Sequence, residues 1–188
     1  MQPASAALAA ACFSPSYASA RARFLLAADR AGARVDVLTN TVASAPDGGT
    51  LTTDVAVLGS AQAERALLIV SGTHGPEGFV GSAAQIALLD ALARRADELE
   101  VRVVLVHAIN PWGFAHISRT TENNVDLNRN FIDWSSGSPA NPRYAELHAS
   151  MCPAQWSPEA IEQADTGREA WIAKHGQDAF VDVTGRGQ

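Results

Sequence analysis

Two kinds of apolar spacing divide the chain. Val35 and Val37 alternate with Arg34 and Asp36, and the period of two predicts a strand over 34–38. A second strand is predicted over 54–58, beyond the turn signal Pro46-Asp47-Gly48-Gly49, and the two are expected to pair as an antiparallel edge. Ala66 to Val70 is a short apolar run that predicts a buried, central strand, and 101–109 is nearly continuous Val and Leu, the pattern of a buried parallel strand. Between these two lies a helical period over 80–99, with Ile86, Leu88, Leu89, Leu92 and Leu99 on one face and Arg94 and Arg95 near its end. Residues 66–109 therefore predict one β-α-β unit with a right-handed crossover.

Further helices are predicted at both ends. Ser14-Pro15-Ser16 is a start signal for a helix through Ala18, Phe24, Leu25 and Ala28 that stops near Gly32. Segments 144–150 and 158–174 also read as helices, the second opened by Ser157-Pro158-Glu159. Residues 110–142 show no clean period, and a loop that long in a compact domain is usually functional. Residues 179–188 carry one weak apolar patch and do not read as the close of a finished domain.

Composition narrows the class. The chain has 188 residues, 47% of them apolar, enough for one domain with a real core. A net charge of -6 argues against a nucleic-acid partner, which needs clustered Lys and Arg. No apolar run is long enough to span a membrane. The Ala-rich start, Met1 to Cys12, lacks the positive region of a signal peptide, so the expected location is the cytoplasm. Cys12 and Cys152 form no metal spacing and read as buried or incidental thiols.

Candidate chemistry follows the strand at 66–70. Gly72, Gly75, Pro76 and Gly78 break it, and His74 and Glu77 sit in the turn. An imidazole nitrogen and a carboxylate oxygen at a strand's carboxyl end suit zinc. The simpler alternative is a helix start with Glu77 near the positive end of the dipole. Downstream come Asn110-Pro111-Trp112-Gly113-Phe114, then Arg119, then Asp126-Leu127-Asn128-Arg129-Asn130-Phe131.

These four motifs, in this order, resemble the zinc carboxypeptidase superfamily over about residues 14–188. The close likeness is to a bacterial branch with His-Gly-Pro-Glu-Gly and Asp-Leu-Asn-Arg-Asn-Phe motifs. The resemblance implies a three-layer α/β fold, with a mostly parallel mixed sheet flanked by helices. Residues 1–188 would form the N-terminal portion of a single metallohydrolase domain, with 1–13 flexible. It implies one zinc ion held by His74 and Glu77, with Arg119 stabilising an oxyanion. Asn128 and Arg129 would hold a free carboxylate, a task that suits the guanidinium fork. Phe131 and Trp134 would wall the pocket. The implied substrate is a small peptide or an acylated amino acid, cleaved at an amide next to a free carboxylate.

The aspartoacylase and succinylglutamate desuccinylase group shares two of the motifs, which keeps an N-acyl amino acid deacylase open as an alternative. A carboxylate-binding module without metal is the third reading. Taken singly, Arg119 could be a loop surface residue, Arg129 an ion-pair partner of Asp126 or Asp133, and Asn128 a turn cap. The family's third ligand, a His, and its general-base Glu have no counterpart here. His107, His116, His148 and His175 match no motif. A truncated domain is the favoured expectation, and it would leave one sheet edge unpaired.

Overall fold

A computed structural model of the chain describes all residues except 1–10, 94, 96–98, 132, 134, 136, 138–140 and 186–188. The expected flexibility of residues 1–10 and the expected roles of Arg94 and Trp134 therefore lie outside the described residues. The chain forms two compact units, Met1–Leu127 and Asn128–Gln188.

In the first unit, helix α1 (Tyr17–Arg30) leads into β1 (Arg34–Ser44), β2 (Thr50–Leu58) and β3 (Ala66–Val70). Helix α2 (Gly75–Leu92), β4 (Arg102–His107) and the short helix α3 (Pro111–His116) follow. The four strands make a mixed sheet in the order β1-β2-β4-β3. β1 and β2 pair antiparallel as expected, β2 pairs antiparallel with β4, and β3 pairs parallel with β4. So the β-α-β unit is present, but β4 rather than β3 is the inner strand. Strand β3 lies at the edge of the four described strands, with Leu68 61% and Val70 41% exposed.

Alternation in β4 buries Val103, Leu105 and His107 and leaves Val104 and Val106 half-covered. The buried set meets Ala56 and Leu58 from β2 and Phe24, Ala27, Ala28, Ala83, Ile86 and Leu89 from α1 and α2. Alanines at the helix contact let the two helices sit close to the sheet.

Helix α1 starts at an N-cap, Ser16, two residues beyond the expected Ser14, because the Ser16 hydroxyl accepts from Ser19 N–H in a capping box. Beneath it, Asp54 is wholly buried and takes Arg21 in two hydrogen bonds of 2.8 and 3.1 Å, with a third from Thr52 Oγ1 at 3.1 Å. Buried charge needs this kind of pairing. The bond to Asp54 raises the Arg21 pKa further above its ordinary value.

The second unit is helical: a 3₁₀ turn (Leu127–Arg129) at the boundary, then α4 (Pro142–Met151), α5 (Pro158–His175) and α6 (Gln177–Gly185). Tyr144, Leu147, Trp171 and Val183 form its core, flanked by Ala179 and Phe180. The apolar residues Ala179, Phe180 and Val183 thus belong to a packed helix. Among the described residues, no helix is long and apolar enough to cross a membrane.

Candidate functional site

The carboxyl ends of β3 and β4 are laced together beyond the ladder. Ser71 N–H donates to Val106 O at 3.0 Å, Ile109 N–H to Ser71 O at 2.9 Å, and Asn110 N–H to Gly72 O at 3.0 Å. Gly72 has φ +68, and a Cβ there would come within 2.8 Å of Ala108 Cβ, so no side chain fits this turn.

Helix α2 begins at once after it, five residues before the expected start, with His74 as N-cap and Pro76 in the first turn. Proline is tolerated there because the first N–H groups of a helix have no intrahelical partner. The His74 ring makes no capping bond. It is turned instead toward two carboxylates. Nδ1 lies 3.3 Å from Glu77 Oε1, and Nε2 lies 3.0 Å from Asp126 Oδ1. The other Asp126 oxygen accepts Arg119 Nε–H at 2.8 Å. The structure thus brings His74, Glu77 and Arg119 together, and adds Asp126 as the residue between two of them.

Exposure grades across the cluster. The His74 and Asp126 side chains are mostly covered, whereas Arg119 is 52% and Glu77 66% exposed. The terminal guanidinium nitrogens of Arg119 have no hydrogen-bond partner among the described residues. The Glu77 carboxyl is held below its ordinary pKa, first by its own backbone N–H at the helix start and then by His74.

The proton arrangement follows from the partners. An ionised Asp126 only accepts, so Nε2 carries a proton; Nδ1 donates to Glu77 when the ring is protonated and presents a lone pair when it is neutral. With the neutral ring, Nδ1 and Glu77 Oε1 face each other as two electron-pair donors 3.3 Å apart. Such a pair needs a proton or a cation between its members. Two tetrahedral ligands with bonds of about 2.0–2.1 Å to one zinc would stand roughly 3.3 Å apart, so the donor types and their spacing fit that ion. Among the described residues, no group of three or more His, Cys, Asp or Glu converges to hold a metal.

The other histidines have other partners. His107 is buried, stacked on Phe24 at 4.4 Å and bonded through Nε2 to Ser82 Oγ at 2.9 Å. His116 stacks on Trp112 and reaches Ser44 O at 3.0 Å. In the second unit, His148 lies against Tyr144 and His175 against Trp171.

Asn128 and Arg129 open the second unit, where Arg129 Nη1 donates to Asn128 O at 3.3 Å. Phe131, also there, is 83% exposed. Asp126 was readable in the sequence only as part of its motif or as a partner for Arg129. Its bond to His74 spans 52 residues, which no local spacing reveals.

What the fold and this cluster define is a mixed α/β protein with His74, Glu77, Arg119 and Asp126 gathered beyond the carboxyl ends of two parallel strands, where such sheets present ligand sites. Over residues 13–188 the chain matches the family described as a protein of unknown function (DUF2817), and it belongs to that family. Among curated proteins, none matches it.

Proposed function

We propose that the chain carries part of a zinc-dependent hydrolase site, acting on an amide next to a free carboxylate in a small peptide or acylated amino acid. The observation that carries this reading is the facing pair, His74 Nδ1 and Glu77 Oε1 at 3.3 Å, with Nε2 already committed to Asp126. Metal-bound histidines commonly give their other N–H to a carboxylate, which fixes the ring and raises its basicity. Zinc, when bound, would lower the pKa of a water and polarise the substrate carbonyl.

The chain's own residues divide the remaining tasks. Asp126 holds the His74 tautomer. Arg119, anchored through Nε, offers its terminal nitrogens to an oxyanion. Asn128 and Arg129 are assigned the free carboxylate by the likeness to zinc carboxypeptidases, which supports this reading but is a resemblance of motifs. An N-acyl amino acid deacylase would differ by preferring small anionic acyl groups over peptides. A carboxylate-binding module would bind no zinc.

The test is a calorimetric titration with zinc alone. The wild-type chain is expected to bind one ion, and the double variant His74→Ala/Glu77→Ala is expected to lose that binding. Equal binding by both would sink the proposal, as would no binding by the wild type.

A further inference from the structure

A buried side chain joins the two loops that carry His74 and Asp126. Asn110 is 1% exposed and sits between the two loops that carry them. Its Oδ1 accepts Gly113 N–H at 2.8 Å and caps helix α3. Its Nδ2 donates to Thr73 O at 3.3 Å and to Thr120 O at 3.2 Å. Thr73 immediately precedes His74, and Thr120 immediately follows Arg119. The orientation of the amide is fixed by these partners, since the reverse would set oxygen against two carbonyls and NH₂ against an N–H.

The surrounding backbone leaves Asn110 little play. Gly75 N–H donates to Ser118 O at 2.9 Å, and Ser118 N–H donates to Gly113 O at 2.8 Å. A Cβ at Gly113 would run into Asn110 Nδ2 and come within 2.8 Å of Ser118 O. The turn after β3, the start of α3 and the loop 118–126 therefore meet at one buried amide.

We propose that Asn110 is a positioning residue: its amide clamps the His74 loop to the Arg119–Asp126 loop and sets the His74–Asp126 hydrogen bond. The value of that spacing for metal binding rests on the zinc reading above, whereas the clamp does not. Asn110→Asp keeps the capping oxygen and turns the amide donors into an oxygen facing two carbonyls. Asn110→Ser can still cap α3, as a good N-cap residue, but is too short to reach Thr73 and Thr120.

The experiment records imidazole ¹⁵N spectra and zinc titrations for the full chain and both variants. Tyr17→Phe, which removes the buried hydroxyl bonded to Thr52, serves as a control for general loosening. Both Asn110 variants are expected to lose the Nε2–H signature of His74 and at least tenfold in zinc affinity. Tyr17→Phe is expected to keep both. If Asn110→Ser folds and leaves the His74 signals as in the wild type, the clamp is overturned. If Asn110→Asp fails to fold, the Ser variant decides. Should the wild type bind no zinc, the hydrolase reading falls, and the His74 signals alone still decide the clamp.

Discussion

Burial fixes the charge of His107. Its side chain is sealed between β4 and α1, and this holds its pKa down at about 4, although the nearby Asp54 pulls the other way. Arg21 on α1 also faces it and lowers the value slightly, while α2 contributes the Ser82 hydroxyl and α3 the Phe114 ring. The unfolded chain titrates near the ordinary value of about 6.5, so between these values the unfolded state binds more protons. Stability from this residue is complete above about pH 6.5 and drains away as the pH falls toward 4. The loss by pH 4.5 is expected to be about 2.5 kcal/mol, the folded-to-unfolded difference in proton binding. Urea unfolding at pH 7 and 4.5 checks this, with His107→Gln as reference. A variant with the same pH dependence as the wild type would exclude the role. At this scale the sequence was readable where chemistry repeats in short spacings. His74 and Glu77, three residues apart, are in that class; Arg119 entered only through the likeness of motifs, and Asp126 and Asn110 act across folded distance.

At the scale of elements, the controlling feature is the seam between α2 and α3. The Gly75 backbone lies directly on the Gly113 and Ser118 carbonyls, so a Cβ has nowhere to go. Gly75→Ala is expected to destabilise the protein by about 3 kcal/mol, at the upper end of overpacking effects. Gly185→Ala, with nothing near its site, is expected to change stability by well under 1 kcal/mol, and urea midpoints compare the two. The same seam explains why α2 starts at Gly75 rather than at 80. Gly75, Pro76 and Gly78 look like breakers in a sequence, yet they form the first turn of α2 because the close approach requires glycine. Helix α3 is only six residues long, too short for a period to show. Helix α6 shows no readable apolar period, since only Val183 of its nine residues is buried. By contrast, the four strands and the helices expected at 144–150 and 158–174 carry enough apolar repeat to be read directly, although β1 runs on to Ser44 and β2 starts at Thr50.

Taken whole, the first unit has a soft side. Strand β3 is Ala-Leu-Leu-Ile-Val, without a charge or proline, and it ends the four-stranded order. Natural edges are usually blunted by one or the other. Its ladder to β4 uses one side of the strand, and Leu68 and Val70 stand exposed on one sheet face beside half-buried Val104 and Val106. Leu68→Lys is expected to cost little stability, since Leu68 is already 61% exposed, and to reduce concentration-dependent association. Sedimentation velocity over a range of concentrations measures this. A wild type that sediments as a monomer throughout would refute it. The apolar run itself was plain in the sequence. Its place at the edge was not, because strand order is decided by β2 pairing with β4.

Asn110 is followed by Pro111, which starts helix α3. Asparagine side chains age when the next residue's backbone nitrogen attacks the side-chain carbonyl, closing a cyclic imide and releasing ammonia. That reaction needs an N–H, and proline has none. The residue that opens the helix therefore also guards the buried amide against slow conversion to aspartate, the change that would set an oxygen against the carbonyls of Thr73 and Thr120.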